Sequence, residues 1–248
     1  MKLLELYSTP SFQDLYSSRE LSTSAVWLTA SFFNEGFGQF SQSLTRVFSS
    51  LVIEKLTQLS AVNFEVLQGY LDAVDREQND IDLWAIELSR KVHHVLEVSF
   101  EECIQGGSLD YPELSTVSAA IVLAGRRNLL IWNFGDFEIV CVRHGRSPVY
   151  AAIKSIPAPS HDKPDFHIIL NAISMKGCPE SNPIIVPDLS SQDWIAIGNS
   201  AFCKRVQEFL GGCESEATAI NADKAVSHLS QNCVGKRFIG SVLKCVEL

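Results

Sequence analysis

Few residues in this chain have the types and spacing that could do chemistry. His161-Asp162-x-x-Asp165-x-His167 is its one dense His/Asp cluster, beside the proline-rich loop Pro157 to Pro164. Imidazole and carboxylate are good metal donors, but the spacing fits no defined zinc or carboxylate motif, so a solvated loop is the better reading. Cys203 follows Phe202 where a helix is expected to start, and a helix N-terminus lowers a thiol's pKa. No His or Asn is placed by the sequence to support it, so it reads as a packed thiol rather than a nucleophile. His93-His94 stand side by side in a helical stretch and cannot face one direction; one should pack and the other be solvated. Asp136, in the turn Phe134-Gly135-Asp136, reads as a hairpin turn cap before it reads as a catalytic group.

Composition narrows the classes further. The seven cysteines are odd in number, scattered, and never spaced C-x-x-C, which fits reduced thiols in a cytoplasmic protein better than a zinc knuckle or a disulfide framework. A formal charge of −9 argues against a nucleic-acid footprint, and the pairs Arg126-Arg127 and Lys236-Arg237 read as solvated turns. Met1 to Leu6 is interrupted by Lys2 and Glu5, so it is no signal segment, and no apolar run approaches the ~20 residues of a membrane span. The expectation is a soluble, cytoplasmic protein with no nucleic-acid partner and no membrane insertion, with leaderless secretion left open. At 248 residues and 46% apolar, the chain can bury a full core as a single domain over residues 1–248.

The elements that must position these residues are legible from periodicity. Ser115 to Arg143 reads as a three-strand meander: Val117 to Ala124, Leu129 to Phe134 and Phe137 to Val142, with Gly125 to Asn128 and Phe134 to Asp136 as turns. Met1 to Ser24 reads as an irregular lead-in with at most one short strand, and Ala25 to Phe33 as a buried strand ending at Asn34-Glu35-Gly36-Phe37-Gly38. Leu44, Val47, Phe48, Leu51, Val52, Leu56 and Leu59 form one helical stripe. A second helical region runs from Phe64 to Cys103, broken around Glu77 to Asp80, with Leu83, Ile86, Val92, Val95 and Leu96 among its apolar positions. The two should pack antiparallel against a sheet face. Further strands are expected at Pro148 to Ile156, Phe166 to Leu170, Ile184 to Val186, Trp194 to Ile197 and Ser241 to Val246, with helices at Phe202 to Leu210 and Ala217 to Leu229.

That order of elements, with four sequence segments inside it, resembles the metal-dependent protein phosphatase 2C (PPM) family over nearly the whole chain. Leu114 to Val122 is similar to the family's GSTA-type strand, and Ile131 to Val140 to its V-A-N-x-G-D-S-R-A segment, with Asn133, Gly135 and Asp136 retained. Asp193 to Phe202 is similar to D-x-x-L-L-A-S-D-G-L-W, and Lys236 to Val242 to S-R-D-N-I-T-V. The resemblance implies an α+β fold, an antiparallel β-sandwich flanked by helices on both faces in α/β/β/α layers. It also implies chemistry in which carboxylates hold two or more Mg²⁺ or Mn²⁺ ions that activate a water for in-line attack on a phosphomonoester.

The ligand positions that the resemblance implies are degenerate. Glu35-Gly36-Phe37-Gly38-Gln39 stands at the D-G-x-G-G turn and keeps a carboxylate on a side chain one methylene longer. Asn199 puts a neutral amide where the Asp of S-D-G belongs, and Phe238 and Ile239 replace the Asp and Asn of R-D-N. Placing the upstream R-x-x-N-E/Q-D element on Arg19 to Ser24 keeps its phosphate-binding Arg as Arg19 and turns its Asp into Ser24. One charged ligand is poorly suited to a binuclear site, so no metal or other cofactor is expected and the favoured function is a pseudophosphatase that scaffolds or regulates a protein partner. Phe37, Phe40 and Phe238 are the candidate partner anchors. An active phosphatase with a rearranged site around Glu35, Arg19 and Asp193 is the alternative, and a different hydrolase or transferase using the His161 to His167 loop is a third reading.

Overall fold

The computed structural model describes residues 2–8, 16–21, 24–33, 43–58, 81–107, 112–124, 129–135, 137–142, 149–152, 156–157, 167–168, 171–186, 189–190, 193–211 and 240–246. Its strands are β1 (Lys2–Ser8), β2 (Tyr16–Leu21), β3 (Ser24–Phe33), β4 (Thr116–Ala124), β5 (Leu129–Phe134), β6 (Glu138–Val142), β7 (Val149–Ala152), β8 (Ile156–Pro157), β9 (His167–Ile168), β10 (Ile173–Ser174), β11 (Ile184–Val186), β12 (Trp194–Gly198) and β13 (Gly240–Val246). The helices are α1 (residues 43–58), α2 (Ile81–Gly106) and α3 (Ser200–Gly211).

Two antiparallel sheets carry the fold. Sheet A has the order β1-β13-β12-β6-β7, and sheet B the order β11-β5-β4-β3-β2, with β10 pairing the start of β4. Because the central strands are covered on both faces, they read as near-continuous apolar runs whose alternate residues belong to different cores. Ala120, Val122, Leu129, Ile131, Ile139, Cys141, Ile195, Ile197 and Leu243 meet between the sheets. The other faces of β4 and β5, with Val117, Ala119, Ile121, Leu123, Leu130, Trp132 and Phe134, pack under α1 and α2. Val140, Trp194, Ala196 and Val242 pack under Phe202, Cys203 and Val206 of α3. The layers are thus helix, sheet, sheet, helix, as the resemblance implies.

The helices bury the faces expected of them, with two exceptions. Leu44, Phe48, Val52 and Leu56 of α1 and Val92, Val95, Leu96, Phe100 and Cys103 of α2 are buried, whereas Val47 is 48% and Ile86 41% exposed. Both lie one position off the buried stripe, where periodicity alone draws the edge too generously. The N-terminus of α1 meets the C-terminus of α2, where Cys103 Sγ donates to Leu44 O at 3.4 Å. Trp132 Nε1 donates to Ser89 Oγ at 2.9 Å and ties β5 to α2.

Three expectations are corrected. The lead-in to Ser24 contains two strands: β1 pairs with β13 and β2 pairs with β3. Its Ser, Thr and Glu content hides them, because edge strands need little apolar surface. The meander is not one sheet, since β5 belongs to sheet B and β6 to sheet A. Residues 135–137 therefore carry the chain from one layer to the other; turn chemistry signals the reversal without saying which layer continues. The run from Pro148 to Ile156 divides into β7 and β8, and β8 leaves the sandwich to pair with β9 in a two-stranded sheet. The helical readings before Ile81 from Phe64 and over Ala217 to Leu229, and Asp136, lie outside the described residues.

Two glycines are required by their surroundings. Gly135 has φ +80°, and a Cβ there would run into Ser118. Gly240 pairs across the sheet with Gly198, and the Phe202 ring lies where its Cβ would be. Gly240→Ala is expected to destabilise the protein by about 1–3 kcal/mol through displacement of Phe202. Urea denaturation of the variant beside the wild type measures this, and an unchanged midpoint would contradict the packing described.

Candidate functional site

The strand registers bring to one end of the sandwich the strand ends that adjoin most of the degenerate positions in sequence. In sheet B, β3 ends at Phe33 opposite Thr116, the first residue of β4, and Phe134 at the end of β5 lies opposite Ala119. In sheet A, Gly198 at the end of β12 lies opposite Glu138 at the start of β6 and Gly240 at the start of β13. The short connection from Phe134 to Glu138 holds these two sets of strand ends together. Glu35 is two residues past Phe33, Asn199 follows Gly198, and Phe238 and Ile239 directly precede Gly240. Glu35, Gly36, Phe37, Phe40, Phe238 and Ile239 themselves lie outside the described residues.

Asn199 is described, and it has a structural task. It is the N-cap of α3: its Oδ1 accepts the Phe202 N–H at 3.0 Å, and its carbonyl accepts the Cys203 N–H at 3.0 Å. The cap sets where β12 ends and α3 begins, and it directs the amide oxygen toward the helix. Cys203, one residue further, is fully buried and its Sγ lies 3.3 Å from Glu138 O and 3.7 Å from Gly198 O. Burial pushes its thiol far above the ordinary range, with Glu138 adding to the shift, which outweighs the helix N-terminus and rules out an activated nucleophile.

The retained segment around the crossover is also architectural. Asn133 is buried and its Nδ2 donates to Phe137 O across the corner, while Gly135 N–H donates to Asn171 O at 2.9 Å. Its Oδ1 is buried without a hydrogen-bond partner, at this same end of the fold.

Two residues of the alternative site lie elsewhere. Arg19 on β2 pairs with Val26, itself opposite Leu123, so it stands seven positions along β3 from Phe33. That is roughly 23 Å at the usual strand rise. Asp193 precedes β12 at the opposite end from Gly198, and its Oδ2 accepts the Ser190 N–H at 2.9 Å in a closed turn. A second placement of the upstream element falls on Asp14. The chain enters β2 at Tyr16 opposite Thr29, from the Phe33 side, and Gln13-Asp14 just ahead of it match the last two letters of R-x-x-N-E/Q-D. The hairpin register is the signal that selects this placement over Arg19 to Ser24; Asp14 lies outside the described residues.

The remaining candidates separate as expected or fall outside the description. His93 is half-buried against Phe134, with ring centroids 5.6 Å apart at 77°, and His94 is exposed. Of the His161 to His167 loop only His167 is described, on β9 opposite Pro157. Among the described residues, no group of three or more His, Cys, Asp or Glu could hold a metal ion, and no helix is long and apolar enough to cross a membrane.

No protein-family profile and no curated protein sequence matches the chain. Solved structures do. It is similar to the serine/threonine phosphatase of S. agalactiae at a TM-score of 0.59 and 14% identity, over 98% of this chain and 99% of that one. The chain has the protein phosphatase 2C fold. The serine/threonine phosphatase Stp1 from Staphylococcus aureus gives a TM-score of 0.61 at 11% identity, over 100% of this chain and 96% of that one. PppA, a key regulatory component of T6SS in Pseudomonas aeruginosa, gives 0.56 at 12% identity over 96% and 95%. In phosphatase 2C terms, β3, β12 and β13 are the strands that adjoin, in sequence, the segments similar to D-G-x-G-G, S-D-G and R-D-N.

The cap at Asn199 separates shape from charge. Asn199→Ala is expected to cost about 1 kcal/mol of stability, whereas Asn199→Asp should fall within a few tenths of wild type because Asp caps equally well. Paired denaturation curves test this, and a large loss in the Asp variant would refute the cap assignment.

Proposed function

We propose that this chain is a catalytically inactive phosphatase 2C-like domain that binds another protein and acts as a scaffold or regulator. The observation that carries the reading is Asn199: where the fold calls for a metal-holding Asp, a neutral amide stands with its oxygen committed to capping α3. Two divalent cations held near each other need several carboxylates to balance their charge. Asn199, Phe238 and Ile239 supply none, and Glu35 with Asp14 would balance only half of that charge. The donor set therefore does not fit the binuclear centre that the fold family implies. A phenyl ring at Phe238 favours dry contact over hydrated ions, and with Phe37 and Phe40 it offers rigid aromatic anchors for a protein partner. Cys103, Cys141, Cys178 and Cys203 form no disulfide, which suits the reducing cytoplasm.

Two measurements test this. Calorimetric titration with Mn²⁺ should show no tight two-ion binding, and a generic aryl phosphate should not be turned over; tight binding of two ions with phosphatase activity lost in Glu35→Ala would establish the active alternative instead. For a partner captured by the wild-type chain, Phe37→Ala with Phe40→Ala should weaken binding by at least ~30-fold if the rings are anchors worth about 2 kcal/mol. An unchanged affinity would remove them from the interface.

A further inference from the structure

Residues 171–183 form a strap from the sheet-crossing corner, over α2, to β11. At its start Asn171 O accepts the Gly135 N–H, and β10 pairs with Thr116 and Val117 of β4. A tight turn follows, closed in both directions between Ser174 and Gly177 at 3.2 and 2.9 Å, with Gly177 at φ +112°. Beyond the turn the strap meets two side chains of α2. Glu97 Oε1 accepts the Cys178 N–H at 3.1 Å, and His93 Nε2 accepts the Ser181 N–H at 3.1 Å. The i, i+4 spacing of His93 and Glu97 sets both acceptors on one helix face, where they satisfy backbone donors of residues that lie in no strand.

The two acceptors differ in kind. A carboxylate has several lone pairs, whereas an imidazole has one accepting nitrogen and only while neutral; the protonated ring donates at both nitrogens. We propose that His93 is a proton-sensitive latch: neutral, it accepts the Ser181 N–H and docks the strap on α2, and protonated, it opposes donor with donor and releases residues 178–183. Its surroundings support this. Burial, against the edge of Phe134 from β5, lowers the imidazole below its ordinary range and outweighs Glu97 on its own helix and Glu180 on the strap, both of which favour the cation.

The sign follows from linkage. A free imidazole takes its proton near ~6.5. The docked one takes it lower, so the His93 contribution to docking is complete above that free value and is lost as pH falls through the docked one. Before its turn the same strap is bonded to Gly135 and to the first two residues of β4, at the end of the sandwich where β3 and β12 finish. The latch stands whether or not that end is catalytic.

NMR of the intact chain between pH 8 and pH 5 tests the proposal. The His93 ring proton and the Ser181 amide should titrate with one midpoint below ~6.5. Exchange protection of the Ser181 amide, corrected for intrinsic rates, should fall by up to about tenfold per pH unit between ~6.5 and that midpoint and level off below it. In H93Q, whose amide oxygen accepts at every pH, the Ser181 titration should vanish. A Ser181 amide that stays flat through the His93 titration, or one that titrates unchanged in H93Q, would overturn the latch, and the wild-type measurement decides even if the variant fails to fold.

Discussion

The structure depends on the sharpness with which the chain passes from one sheet to the other after Phe134. Three residues span the gap between layers, and they can do so because Gly135 adopts a positive φ on a site with no room for a Cβ. Two polar groups of the corner are met locally: Phe137 O accepts from Asn133 Nδ2, and the Gly135 N–H finds Asn171 O. The corner therefore fixes which ends of sheets A and B coincide. Without that coincidence, the segments after β3 and β12 and before β13 would have no common end to leave from.

This separates two demands on sequence that the fold ordinarily satisfies with the same residues. Asn133 and Gly135 answer to backbone geometry, which any protein of this architecture must meet. Position 199 answers to two demands at once, since an Asp there would cap α3 and carry charge. Asn keeps the first property and gives up the second, so the fold registers no loss. A substitution of this kind is invisible to packing, and only the electrostatics of the site records it.

How far the sequence was legible follows from the same distinction. The alternating cores of β4, β5, β6 and β12 were readable because strands buried on both faces are apolar throughout, and α3 was readable from its stripe and from Gly211-Gly212. The layer change at Gly135 was not, because turn residues encode a reversal and not the partner that the next strand will choose. β1 and β2 were hidden because their pairing is long-range or at an edge and so leaves little local pattern. At the site, Asn199 was found by motif alone and its cap only by geometry. The distance of Arg19 from the end of β3 follows from the β2–β3 register, which the three polar residues Ser22 to Ser24 do not announce.

The position of β13 has a consequence for how such a chain comes to be folded. It lies inside sheet A, between β1 and β12, although β1 precedes it by most of the sequence. On a ribosome, β1 is made early and must wait with its backbone groups unpaired until its neighbour emerges, while sheet B, whose main strands arrive sooner, can already assemble. Sheet A thus closes last, across the longest loop in the molecule. During that wait the exposed edge of β1 is open to strands from other chains, and Lys2 and Glu5 within it are the kind of charged residues that discourage such pairing.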